Sequence, residues 1–252
     1  MLRFIAAHAA ITYPIITACL LAGIWQLAVA QAETILIPTF TEVAGATLGL
    51  ITDPELWSAL WISNQAFLIG FGLAVAVGIP LGIASGRSPL VQQYLNPYLD
   101  ILLVTPMAVI IPLLIMATGL GLVSRVILVF ASSVVGVLVN AQVGVRQADP
   151  ALLEMARSYG ASELQLWRRI ILPGSMPAIM AGVRLGLSQA IQAMVLIELL
   201  MVAVGVGRLM VEFRGRFQSG ELWAVVVIVV LECLILVAIA RWLERRVAPW
   251  AR

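Results

Sequence analysis

The sequence predicts an all-α integral membrane protein of about six transmembrane helices. Three observations carry this. Apolar residues make up 62% of the 252-residue chain and charged residues only 11%, against roughly 45–50% and about 25% in soluble domains. Six apolar stretches approach or exceed the ~20 residues a helix needs to cross a bilayer. The arginines crowd into the segments on one side of those stretches.

The first stretch is about 9–30. Arg3, the apolar run and Ala28-Val29-Ala30 also fit a signal peptide with its small-residue cleavage site, but the run is longer than the usual core of about 7–15 residues, which favours a retained span. The second stretch, about 57–85, contains Gly70, Gly72, Gly78 and Pro80. Glycines there, with Gly82, predict close helix packing. The third, about 99–119, contains Pro106 and Pro112. The fourth is about 124–143, the fifth about 176–204 and the sixth about 222–242. The chain divides into an N-terminal helix with an external segment, 1–56, and a core, 57–252, with a long polar loop at 144–175.

All 15 basic residues are arginine. With the N-terminus inside, the inner segments hold Arg3, Arg87, Arg146, Arg157, Arg168, Arg169, Arg241, Arg245, Arg246 and Arg252, and the outer loops hold Arg125, Arg208, Arg214 and Arg216. This bias predicts both termini in the cytoplasm. The last three outer arginines run against it, partly offset by Glu212 and Glu221. Without lysine the chain can build neither a P-loop nor a Schiff-base site. His8 alone makes a histidine-ligated metal centre implausible. Cys19 and Cys233 lie in apolar runs and read as packing residues. A net charge of +2 gives no field for nucleic acid. No cofactor is expected.

The loop at 144–175 carries the most information. Asp149-Pro150 is a helix start, an N-cap acceptor followed by proline at the first helical position. Leu152, Ala156 and Tyr159 share one face, with Glu154, Arg157 and Ser158 elsewhere. Gly160 suits the left-handed residue that ends a helix. Ser162 and Gln165 form a capping-box pattern for a second helix, and Pro173 marks its end. Two readings stay open on this basis: a loop resting on lipid headgroups, or a docking element for another protein.

The stretch Glu154-Met155-Ala156, three residues, Gly160, nine residues, Ile170-Ile171-Leu172-Pro173 resembles the Glu-Ala-Ala loop of ABC importer permeases. Met155 stands where alanine is usual. Pro177, Gly182 and Arg184 continue the likeness. It extends over nearly the whole chain from about Ile35, through Ile37-Pro38-Thr39 with Val43, Gly78-Ile79-Pro80-Leu81-Gly82, Thr105-Pro106, Ile111-Pro112-Leu113, Gly119-Leu120-Gly121 and the closing Leu243-Glu244-Arg245-Arg246. These segments are similar to the nitrate/sulfonate/taurine-type branch.

The resemblance implies a type I importer permease fold and a non-catalytic subunit in the bacterial inner membrane. It implies three partners: cytoplasmic ABC ATPase subunits, a periplasmic or extracellular solute-binding protein, and a second permease copy. It also implies a small, mostly anionic solute such as a sulfonate, taurine or nitrate. The ATPase-coupling residues it points to are Leu152, Glu154, Ala156, Arg157, Tyr159, Gly160, Ala161, Ile170, Leu172 and Pro173.

Polar residues inside the spans are expensive and usually face a partner, a cavity or the bundle interior. Glu198, with Gln189 and Gln192 on the same stretch, is a candidate for the translocation path, as are Asn64, Gln65 and Asn140. Asn64, Gln65, Asn140 and Gln142 read equally as interhelical glue, and for Glu232 a hydrogen-bonded carboxyl between helices is favoured. Two other classes compete. A carrier driven by an ion gradient would show matching repeats with broken helices, and an intramembrane enzyme a nucleophile with its base or a set of metal ligands. Neither pattern is visible.

Overall fold

The computed structural model describes residues 2–32, 37–201 and 204–247, and among them every regular element is helical. Ile35, residues 202 and 203 of the fifth stretch, and Arg252 lie outside the described residues, as do the side chains of Arg3, His8, Glu244 and Arg245. In chain order the helices are α1 (Leu2–Ala32), α2 (Phe40–Ile51), α3 (Pro54–Arg87), α4 (Pro89–Val104), α5 (Met107–Thr118), α6 (Leu122–Arg146), α7 (Pro150–Ser158), α8 (Glu163–Leu166), a π-helical turn at Trp167–Ile171, α9 (Leu172–Met201), α10 (Gly205–Gly215) and α11 (Ser219–Val247).

Four of these helices are long and apolar enough to cross a membrane, five if α4 and α5 count as one bent span. A sixth span would be α1, whose stretch Ile16–Gln31 is apolar but shorter. The third span departs most from expectation. It begins at Pro89 and turns through 102° between Val104 and Met107. Proline cannot donate to the helix, and it pushes the preceding residue out of the α region. Thr105 accordingly sits at φ −75°, ψ 119°.

Pro173 also differs from expectation. It does not end a helix. A continuous apolar helix runs Glu163–Leu200, and the π-helical turn just before Pro173, where the Leu172 N–H bonds the Trp167 carbonyl, widens the backbone. A single wide turn lets the chain pass a proline without a break.

Contacts divide the chain into two units: Met1–Ser58 with Leu209–Val230, and Ala59–Arg208 with Leu231–Arg252. In the first unit, Thr39 caps α2, its hydroxyl accepting from Glu42 N–H and its own N–H donating to the Glu42 carboxylate at 2.8 Å. Trp25 Nε1 donates to the Pro38 carbonyl at 3.2 Å, and its ring meets Phe40 and Trp223. Segment 209–230 thus shares a unit with the N-terminal helices.

The second unit is built on α6, which α3 and α9 approach through small residues. A Cβ at Gly82 would lie 2.5 Å from the Leu138 carbonyl oxygen, and one at Gly182 2.6 Å from Asn140 Cβ. Close approach brings carbon atoms into dispersion contact where lipid offers no hydrophobic drive. Gly70 and Gly78 behave alike, but Gly72 has nothing within 4 Å.

Candidate functional site

The loop at 147–171 folds as a capped elbow. Asp149 Oδ1 accepts from Ala151 N–H at 2.9 Å, which satisfies one free donor at the start of α7. At the other end Gly160 takes φ 79°. Its N–H bonds the Arg157 carbonyl and the Ala161 N–H bonds the Ala156 carbonyl, at 2.9 and 3.0 Å, the paired bonds of a left-handed helix stop. Ser162 and Gln165 then exchange both bonds of a capping box. Arg157 and Glu163 pair across the bend at 3.2 Å.

Local chemistry therefore fixes the elbow, and α7 buries none of its residues. Leu152 is 45% exposed and Tyr159 87%, with Ala156 half-buried and Glu154 exposed. Beside this face lies a groove of about 420 Å³, lined by Ala156, Tyr159, Gly160, Ala161, Gln165, Leu166, Arg169 and Ile170. Leu166, 1% exposed, roots the elbow. The Arg87 guanidinium, 5.0 Å over the Trp167 ring, ties the π-helical turn to the end of α3. Leu172 and Pro173, both half-buried, carry the chain on into α9.

Inside the bundle the polar residues separate into two groups. Glu198 is 1% exposed. One carboxylate oxygen accepts from Ser63 Oγ at 2.7 Å and from the Gly207 N–H at 3.3 Å, and the other lies 3.6 Å from the Arg125 guanidinium. Ser63 Oγ in turn accepts from the Val206 N–H at 3.0 Å. Arg125 also donates to the Ile62 and Gly121 carbonyls. A charge this deeply buried needs such partners, and together they fasten the start of α10 to α3, α6 and α9. Sequence reasoning placed Arg125 in an outer loop and missed Ser63. The available signal was one arginine at the head of an apolar stretch and one glutamate late in another. Asn64 donates to Glu232 at 2.5 Å and to the Leu60 carbonyl at 2.9 Å, joining α3 to α11. Asn140 donates to its own helix at Gly136, and Gln65 is half-buried on α3.

Gln189 and Gln192 belong elsewhere. They line a cavity of about 240 Å³ beside the break between α4 and α5, together with Thr105, Met107 and Ser132. Glu198 is not among the lining residues. Irregular backbone within a membrane bundle is tolerated where protein buries it or where it borders a cavity, and Thr105 and Met107, on either side of the break, both line this one.

The structure thus combines a bundle of apolar helices, a mostly apolar cavity with four polar side chains beside a broken span, and an exposed capped elbow continuous with α9. Residues 78–249 match the family described as binding-protein-dependent transport system inner membrane component, and the chain belongs to that family. It is 32% identical over 200 residues to the taurine transport system permease protein TauC of Escherichia coli, covering 79% of this chain and 72% of that one. The putative aliphatic sulfonates transport permease proteins SsuC of Bacillus subtilis and Escherichia coli are 30% and 32% identical over 230 residues, 90% of this chain and 83% and 88% of theirs. A structure of the MetNI methionine ABC transporter superposes with a TM-score of 0.65 at 15% identity, over 78% of this chain and 99% of that one, and so shares the fold. The protein is thus a multi-pass inner-membrane permease subunit of an ABC importer, a system completed by a solute-binding protein and an ATPase.

Proposed function

We propose that this permease carries small sulfonates, taurine among them, and is driven by a separate cytoplasmic ATPase that docks on the α7–α8 elbow. The observation that carries the docking reading is the exposure of Leu152 and Tyr159 on a helix rigidly capped at both ends. An apolar face left largely exposed among the described residues, on a helix capped at both ends, suits a groove on another protein. Glu154, Ala156, Arg157, Gly160 and Ala161 shape the elbow, and Ile170, Leu172 and Pro173 pass its displacement into α9.

The taurine and sulfonate systems of its relatives support the solute class. The arginine bias supports termini and elbow on the cytoplasmic side. The family likeness supports a pair of identical permeases, with 57–252 as the transport core and ATP hydrolysis confined to the partner chain. Reconstitution with the ATPase and binding protein in proteoliposomes tests the reading. ATP-dependent uptake of taurine or ethanesulfonate is the expected result. Uptake of nitrate alone would remove the sulfonate assignment.

A further inference from the structure

The helix that leaves the elbow runs unbroken from Glu163 to Leu200, 38 residues, or about 57 Å at 1.5 Å per residue. One end follows the exposed face of the docking element. The other end carries Glu198, the one acidic residue buried among the described residues. A rod of this kind passes any displacement of the elbow to its far end. What holds that end decides where the displacement goes.

Glu198 is held there by its own chain. Its carboxylate accepts from the Ser63 hydroxyl of α3 at 2.7 Å and from the Gly207 N–H in the first turn of α10 at 3.3 Å, and it faces Arg125 of α6 at 3.6 Å. It does not line the cavity at the break of the third span. An ionisable group inside a span that meets no cavity acts on the helices packed around it.

Two features let this cluster change its arrangement. Glu198 Oε1 is buried without a hydrogen bond, while Arg125 donates to the Gly121 and Ile62 carbonyls. An under-satisfied oxygen beside a guanidinium engaged elsewhere responds to a small shift of α9 against α6. The chain also turns into α10 at Gly205, where φ is 59° and a Cβ would collide with Ser63 Oγ and lie 2.9 Å from Glu198 Oε1. Only glycine takes that conformation at little cost. Gly207 then seats α10 on the Glu198 backbone, since a Cβ there would lie 2.5 Å from the Glu198 carbonyl carbon. The turn between the two helices is therefore packed onto the cluster itself.

We propose that Glu198 is a positioning residue for transport: with Ser63 and Arg125 it couples displacement of the elbow to the first turn of α10. The inference rests on the elbow being the place where the ATPase docks. Apolar side chains would also fill the space, but apolar contact is non-directional. Charge-assisted hydrogen bonds fix a direction, so α10 follows α9 instead of sliding past it.

The test uses the complete transporter, with permease, ATPase and binding protein, in nanodiscs. Cys19 and Cys233 are replaced, and Val204→Cys, half-buried just before α10, reports that end of the rod. Its labelling rate with a polar maleimide is read on the permease, first without nucleotide and then after trapping with ATP and vanadate. This readout needs no solute. With the cluster intact the two rates should differ severalfold. Arg125→Met with Glu198→Leu removes the ion pair without leaving a lone charge, a replacement often neutral for stability. In that variant the ATPase should still co-purify and hydrolyse ATP. The two labelling rates should come within about twofold of each other, and taurine uptake per ATP hydrolysed should fall about tenfold.

A merely structural cluster gives a different pattern. The double variant would then melt like wild type and keep the wild-type contrast in labelling, which overturns the proposal. Equal rates in the intact transporter, with the ATPase bound, overturn it as well. If the double variant fails to assemble, Ser63→Ala decides, since it removes one hydroxyl and no charge. Its contrast should shrink, and a wild-type contrast there overturns the coupling role. Full ATPase binding and stimulation in Gly160→Val would instead remove the docking reading beneath it, so the two failures are told apart.

Discussion

Ser63 Oγ donates to Glu198 Oε2 at 2.7 Å across 135 residues of sequence, and the same hydroxyl accepts from the Val206 N–H at the start of α10. One oxygen thus connects a transmembrane carboxylate to the helix that follows it. Arg125 closes the group from α6.

That arrangement predicts the behaviour of Glu198 variants. Glu198→Gln removes the charge facing Arg125 and leaves a buried guanidinium uncompensated, at a cost of about 3 kcal/mol or more. Arg125→Met with Glu198→Leu should cost less than the two single changes added together. Thermal melting of the detergent-solubilised complex measures the coupling, and strict additivity would dissolve the pair into independent contacts. Glu198→Gln should also alter uptake while the ATPase still co-purifies.

Gly160 tests the elbow through backbone conformation alone. Nothing lies within 4 Å of an added Cβ, yet φ is 79°. Gly160→Val should therefore fail for conformational reasons, costing on the order of 1 kcal/mol or more. Gly160→Asn should be tolerated, because asparagine visits this region. Binding-protein-stimulated ATP hydrolysis and ATPase co-purification should fall for valine and persist for asparagine. Equal behaviour of the two would mean that the bend does not position the docking face.

Two glycines of α3 make an opposed pair. Gly82→Ala pushes a methyl group to 2.5 Å from the Leu138 carbonyl oxygen and 2.6 Å from Ala141 Cβ, so overpacking of ~1–3 kcal/mol is expected. Gly72→Ala meets open space and should be neutral or slightly stabilising. Melting temperatures of the two variants should separate in that order.

Orientation is open to direct labelling. With Cys19 and Cys233 replaced, Leu164→Cys reports the elbow, where the side chain is 64% exposed. Gly215→Cys reports the end of α10, where an added Cβ meets nothing within 4 Å. An impermeant thiol reagent applied to intact cells should label only the Gly215 site. Labelling at residue 164 would invert the topology.

How much of this was legible in the sequence follows the reach of each interaction. The second, fourth, fifth and sixth spans were, because crossing a bilayer needs only length and apolarity along one segment; the bend that breaks the third was not. The elbow was legible too, since Asp149 caps Ala151, Gly160 stops α7 and Ser162 pairs with Gln165, each within one turn. The partnership of Arg125, Ser63 and Glu198 was not, nor the place of Gln189 and Gln192 at the helix break. Those depend on how far each helix is rotated and how deeply it sits, and packing of α3 and α9 against α6 sets both. Pro106 and Pro173 show the same division. Their chemistry is identical, but one bends its span by 102° and the other is carried through a π-helical turn. Sequence places the proline; the helices packed around it decide whether the backbone breaks or widens.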